Sequence, residues 1–275
     1  LNRIPIYFNI LFLVLGSVSL ADARPMPFRV VLDPGHGGTD EGTVYRSGDS
    51  RIAEKTLTLQ LAKKVAYQLR ARGYLVTLTR NDDREVALGT RTQIANRLGA
   101  DIFISIHLNS SEEARRKDAE GIETYILNST TDASSKRLAR LENSVISGEQ
   151  PAGSPEDRDV ALILKDLRLD GNLSSSKRLA CSLQEHLVRA TSNRINLLRR
   201  NRGIKQALFH VLLGADMPSV LVEVGFLNSA NDRSFVRSLR GQAIASRSIA
   251  DAVDHYSARG KASKRLVSLN RCKVN

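Results

Sequence analysis

The run Val30-Val31-Leu32-Asp33-Pro34-Gly35-His36-Gly37-Gly38 restricts the fold more than any other stretch of the chain. An apolar segment without polar alternation is a strand buried on both faces, and Pro-Gly ends it abruptly. Strands of that kind belong to sheets covered on both sides. The break delivers His36 on a glycine-rich turn, where no neighbouring side chain crowds it. Such a histidine is well placed to bind a metal or a proton.

The rest of the chain continues this pattern. Residues 28–32 predict the first strand, and 54–72 a helix with Leu57, Leu61, Val65 and Leu69 on one stripe, stopped by Gly73. Strands are predicted over 74–79, 102–106, 121–127, 204–212 and 219–224. Helices are predicted over 86–98, 173–194 and 241–257. Alternating strands and helices indicate an α/β domain whose twisted, mostly parallel or mixed sheet is flanked by helices on both faces. Its functional residues should gather beyond the C-terminal edge of the strands. The segment 129–176 differs, being polar and carrying two short helical patterns around a loop at 148–159.

Composition narrows the setting. The chain has 275 residues, 41% hydrophobic and 25% charged, enough for a substantial core. Arg3, the apolar run 10–15 and Ala21-Asp22-Ala23 follow the layout of a secretory signal peptide over residues 1–23. A membrane anchor is the competing reading, and the apolar run is short for a span. No other run is long enough to cross a bilayer, so no stable membrane insertion is expected. Lys and Arg exceed Asp and Glu by 41 − 29, a net charge of +12. Arg194, Arg199, Arg200, Arg202 and Lys205 form one cluster, and Lys261, Lys264, Arg265, Arg271 and Lys273 another. Basic surfaces attract polyanions. For an exported chain that means anionic envelope polymer or lipid rather than nucleic acid, unless the charges are simply a solvated face. Cys181 and Cys272 either pair, fastening the C-terminal tail, or stay free thiols. The basic tail 259–275 is expected to be mobile.

Polar residues at strand ends carry the chemistry. His36 follows the first strand, His107 follows Ile102-Phe103-Ile104-Ser105-Ile106, and Glu223 sits inside Leu221-Val222-Glu223-Val224. Glu54 joins them from the start of a helix. Singly, each histidine has a structural reading, and Glu54 can complement a helix N-terminus. Glu223 is different, because an ionised carboxylate in a buried strand needs a partner or a metal. Two histidines and one carboxylate make a catalytic zinc set with a fourth position open to water. The remaining carboxylate can then serve as the base.

Four blocks resemble the signatures of zinc-dependent N-acetylmuramoyl-L-alanine amidases of the amidase-3 type. They are Asp33-Pro34-Gly35-His36-Gly37-Gly38, Glu54-Lys55, Ser105-Ile106-His107-Leu108-Asn109 and Glu223-Val224-Gly225-Phe226-Leu227-Asn228, in the family's order. Leu108 departs from the family's usual smaller residue. The resemblance, over about residues 29–256, implies hydrolysis of the amide between N-acetylmuramic acid and the L-alanine of the stem peptide. It implies one zinc ion held by His36, Glu54 and His107, with Glu223 as general base. The catalytic domain would span 24–258. Two competitors stand beside it: a zinc peptidase cutting within the stem peptide, and a catalytically silent wall-binding regulator.

Within 135–146, Leu138, Leu141 and Val145 form an apolar stripe that includes Glu142. A carboxylate on an inward face calls for a cation. Glu142-Asn143 also resembles a pair in the inserted helix of the division-associated amidases. The segment at about 129–176 is therefore expected to be autoinhibitory, with Glu142 as a fourth zinc ligand. The other reading lets Glu142 reach solvent from the edge of the stripe. The resemblance further implies release by a LytM-type activator docking on that segment, a periplasmic location and a role in daughter-cell separation. A monomer is expected.

Overall fold

A computed structural model describes residues 27–110, 119–144, 170–192, 201–261 and 274. The first strand, β1 (Arg29–Pro34), is buried from Val30 onward. After the turn come a short hairpin, β2 (Val44–Ser47) and β3 (Ser50–Ala53), and helix α1 (Glu54–Arg70). Then follow β4 (Leu75–Leu78), α2 (Leu88–Leu98), β5 (Ile102–Asn109), β6 (Ile122–Leu127) and α3 (Ala133–Asn143). The C-terminal half adds α4 (Asp170–Ser192), β7 (Asn201–Ala207), β8 (Ser219–Phe226), α5 (Ala230–Arg237) and α6 (Leu239–Lys261).

Six strands form one sheet in the order β4-β1-β5-β8-β6-β7. Neighbours run parallel except at β8 and β6, which are antiparallel. Side chains alternate between faces along a strand, so each strand serves two cores. Val30, Leu32, Ile102, Ile104, Ile106, Val220, Val222 and Val224 pack with α1, α4 and α6. Val31, Phe103, Leu221 and Tyr125 pack with Ala95 of α2 and with Leu138 and Ala139 of α3. By the same alternation Asp33, Ser105, His107, Glu223 and Glu123 belong to this second face.

The expected α/β architecture is observed, with local differences. The strand expected at 204–212 is β7 at Asn201–Ala207, followed by a 3-10 turn at His210–Leu212. Phe209, Val211 and Leu212 are buried in the second core. Their burial comes from the turn, not from a pleated strand. The apolar run alone does not distinguish the two. The polar start of β7 is held in the sheet by pairing with β6. The 44–53 hairpin and α5 had no counterpart among the expected elements. Helix α5 nevertheless has a start signal, since Ser229 accepts a hydrogen bond from the Asp232 N–H (3.3 Å).

The stripe expected on α3 is narrower than its spacing suggests. Leu138 is buried, whereas Leu141 is 48% exposed. The tail expected to be mobile is docked at its end, because Val274 bridges Ile204 of β7 and packs on the first core. Cys181 is disulfide-bonded and no free cysteine occurs among the described residues, which favours pairing over free thiols. Cys272 itself, the signal peptide expected at 1–23 and residues 145–169 of the inserted segment lie outside the described residues. No described helix is long and apolar enough to cross a membrane.

A buried ion pair joins this scaffold to the turn after β1. Asp33 accepts hydrogen bonds from Thr79 Oγ1 (2.5 Å), Ser105 Oγ (2.7 Å) and Arg91 Nη1 (2.8 Å). Burial alone would raise its pKa, but the Arg91 charge and these bonds outweigh it and hold the carboxyl below its usual range. Removing one partner of a buried pair costs about 3–5 kcal/mol. Asp33→Asn should therefore lower unfolding free energy by about that amount at pH 7, measured by urea denaturation. Because the folded pKa is depressed, the carboxylate's contribution is complete above about pH 4 and is lost as pH falls toward the folded value. The gap between wild type and variant should narrow in acid; a gap that widens there contradicts the pairing.

Candidate metal centre and active site

The histidine turn is strained into place by two buried arginines. Arg91 donates to the carbonyls of Pro34 (2.9 Å) and His36 (3.1 Å). Arg80 donates to those of Pro34 (3.0 Å) and Gly35 (2.7 Å). Gathering these carbonyls leaves His36 in the left-handed region at φ 60°, which non-glycine residues seldom adopt. Asp40 Oδ2 lies 2.8 Å from His36 Nδ1 and fixes the ring, turning Nε2 inward. Small residues are required around it. A Cβ on Gly35 would lie 2.4 Å from the His107 ring, and one on Gly42 2.4 Å from His36 and 2.7 Å from Glu54 Oε2.

Glu54 opens α1 fully buried, because the preceding hairpin hands it inward. Its Oε2 accepts from the Thr43 N–H (2.9 Å) and its Oε1 from the Leu108 N–H (2.8 Å). Oε1 also stands 3.2 Å from His36 Nε2 and 3.2 Å from His107 Nδ1. From the opposite side Glu142 Oε2 reaches to 3.3 Å from His36 Nε2 and 3.1 Å from His107 Nδ1. Helix α3 is clamped there by Asn143, which donates to the Leu208 carbonyl (2.8 Å) and accepts from the His210 N–H (2.9 Å). Glu142 thus points inward, as expected, although Leu141 does not.

One ligand-type atom from each of His36, Glu54, His107 and Glu142 lies within 4.8 Å of all the others. The cluster calls for positive charge at its centre. Burial opposes the imidazolium form, yet the Glu54 and Glu142 carboxylates overcome it and hold both histidines up to about pH 10. Burial likewise disfavours the Glu54 carboxylate, but the histidines pull its pKa far below the usual range. His36 Nε2 is buried and, among the described residues, has the two carboxylates near it but no aligned hydrogen bond. Nitrogen and carboxylate donors converging with an unused imidazole nitrogen fit a divalent ion such as zinc.

Glu223 lies beside His107 in the β5–β8 register and opposite Glu123 across the β8–β6 pair. Both of its oxygens are buried without a hydrogen-bond partner among the described residues. Burial first, then Glu142, Glu54 and Glu123, push its pKa well above the carboxylate range. A carboxyl group so placed can take and return a proton. The structure therefore brings all five singled-out residues together. Glu123 was not foreseen, although it obeys the logic that marked Glu223: a carboxylate inside a buried strand. It accepts from Asn109 Nδ2 (2.9 Å), Tyr125 Oη (2.7 Å), Lys205 Nζ (2.8 Å) and Arg202 Nε.

A mixed sheet with a His/Glu/His/Glu group, supplied by β5, the turn after β1 and helices α1 and α3, defines an α/β protein with a candidate metal site. The chain belongs to the N-acetylmuramoyl-L-alanine amidase family, whose Amidase_3 model matches residues 30–255. It is 34% identical over 82% of its length to the amidase AmiC of Neisseria meningitidis serogroup B, covering 52% of that protein. It is 31% identical over 82% of its length to AmiA of Escherichia coli K12, covering 75%. The chain thus spans about half of the AmiC relative. Among solved structures, AmiC2 of Nostoc punctiforme aligns at TM-score 0.61 and 28% identity, covering 84% of this chain and 98% of that one. The amidase of Clostridium difficile 630 aligns at 0.61 and 29%, covering 87% and 99%.

The support that Asp40 gives His36 has a measurable consequence. Losing a partner of this kind typically weakens metal affinity 10–100-fold. Asp40→Ala should show a loss of about that size in zinc titrations while keeping its fold by circular dichroism. Unchanged affinity would show that Asp40 does not orient the ring for a metal.

Proposed function

We propose that the chain hydrolyses the amide joining N-acetylmuramic acid to the L-alanine of the peptidoglycan stem peptide. The observation that carries this reading is Glu223: a carboxyl group with no hydrogen-bond partner, buried beside convergent metal-type ligands. Family membership supports the choice of bond. His36, Glu54 and His107 would hold one zinc ion, which when bound polarises the amide carbonyl and acidifies a bound water.

The chain's own groups do the rest. Glu223 takes a proton from the attacking water and returns it to the departing alanine nitrogen. The water oxygen ends on the muramic acyl carbon, the C–N bond breaks, and the second water proton passes from the new carboxyl group to the amine, so that a carboxylate and an ammonium result. The raised pKa of Glu223 suits a group that must both accept and release that proton. Thr43 and Leu108 N–H groups keep Glu54 oriented, and Asp40 keeps His36 oriented.

Glu142 gives this site a closed state. Its carboxylate stands where water and substrate would approach the two histidines, and Asn143 holds α3 in that position. We infer that α3 is autoinhibitory, within an inserted segment at about 129–176 of a catalytic domain spanning 24–258. A LytM-type activator docking on that segment would release it. A signal peptide over 1–23, a periplasmic location, a monomeric state and a role in cell division belong to the same reading.

Two variants test these roles. Glu223→Gln should keep its zinc stoichiometry but lose turnover on purified sacculi by about 10²–10⁴-fold. Near-normal turnover would remove Glu223 from the mechanism. Glu142→Ala should raise basal dye release from labelled peptidoglycan without any activator. A flat baseline in that variant would contradict autoinhibition.

A further inference from the structure

Beyond the metal ligands, a row of charged side chains continues across the sheet. His107 on β5, Glu223 on β8 and Glu123 on β6 are register neighbours, and Arg202 on β7 reaches Glu123. Arg202 is held on two sides. Its Nε donates to Glu123 Oε1, and its guanidinium lies 5.0 Å over the Phe226 ring. Stacking fixes the plane of the fork, and the Nε bond fixes its rotation. The terminal amino groups make no hydrogen bond to another described residue, and the side chain is 32% exposed. Lys205, by contrast, is only 15% exposed and is engaged with Glu123 and the Tyr125 ring. Glu123 is already met by Lys205, Asn109 and Tyr125, so neutralising it does not require Arg202.

We propose that Arg202 is a substrate-binding residue that receives a carboxylate of the stem peptide, a role resting on the amidase reading above. Adjacent strands lie about 4.8 Å apart, which puts β7 about 10 Å from Glu223 along the row. An extended chain covers about 3.3–3.6 Å per residue, so that span reaches the second or third residue beyond the scissile bond. In a peptide that runs from alanine into γ-linked glutamate, the glutamate keeps a free α-carboxylate at that reach. A rigid, planar fork is suited to bidentate capture of a carboxylate. The same carboxylate converted to an amide would leave the two terminal amino groups without an anionic partner of their own, Glu123 being met through Nε.

The test compares two peptides on the full-length, zinc-loaded protein: L-Ala-γ-D-Glu and its α-amide, with the corresponding muramyl glycopeptides for turnover. Wild type should bind the acid about tenfold to a hundredfold more tightly than the amide in calorimetric titration, the range for a charge-assisted pair. Arg202→Gln should lose that preference while binding the amide as wild type does. Arg202→Lys, which keeps the charge but not the fork, should recover part of it. Equal loss on both peptides in both variants, or loss in neither, overturns the assignment. Release of the alanine-led peptide from the glycopeptides is read separately. Its absence in wild type would refute the amidase reading, whereas the binding comparison judges Arg202 alone.

Discussion

Everything in this site follows from placing several carboxylates close together where water is scarce. Glu54, Glu123 and Glu223 are buried, and Glu142 is nearly so. Like charges at such range cannot all ionise without compensation. The protein resolves the problem differently for each. Glu54 is met by two backbone amides and two histidines, and Glu123 by Lys205, Arg202, Asn109 and Tyr125. Both oxygens of Glu223 are buried with no hydrogen bond among the described residues, so it is the group whose protonation responds to the chemistry beside it. In the proposed reading, a divalent ion held by His36, Glu54 and His107 would supply the charge that the cluster demands.

The scaffold's contribution is to fix where those groups point. Arg91, itself paired with Asp33, and Arg80 sit one step behind the histidine turn and gather its carbonyls. They hold His36 in a backbone conformation that it would not choose alone. Glycines at 35 and 42 keep the space that the imidazoles occupy. Helix α3 closes the same space from outside. It is held there by Leu138 and Ala139 in the second core, by the Asn143 bonds, by Arg137 donating to the Ser110 carbonyl and by the pairs that Glu142 makes with the two histidines.

Much of this was legible in the sequence because the informative residues break local rules. A glutamate inside a buried strand needs a partner or a metal, so Glu223 stood out by itself, whereas His36 stood out only together with Glu54 and His107. Glu142 stood out likewise, although Leu141 on the same helix turned outward. Glu123 was passed over because its compensation comes from β7, and which strand lies beside β6 depends on topology. Arg80 had no local signature either, since its partners are carbonyls dozens of residues away. The 204–212 stretch failed for another reason: apolar residues are buried equally well by a strand or by a 3-10 turn.

The central claim is hydrolysis of the muramyl–alanine bond at a zinc site built from this cluster. It is tested most directly by measuring metal content and product identity together on purified sacculi, with and without EDTA. The account requires one zinc per chain, free stem peptides beginning with alanine, and loss of their release when the metal is removed. Shortened muropeptides in their place, or undiminished release of alanine-led peptides from metal-free protein, would contradict it.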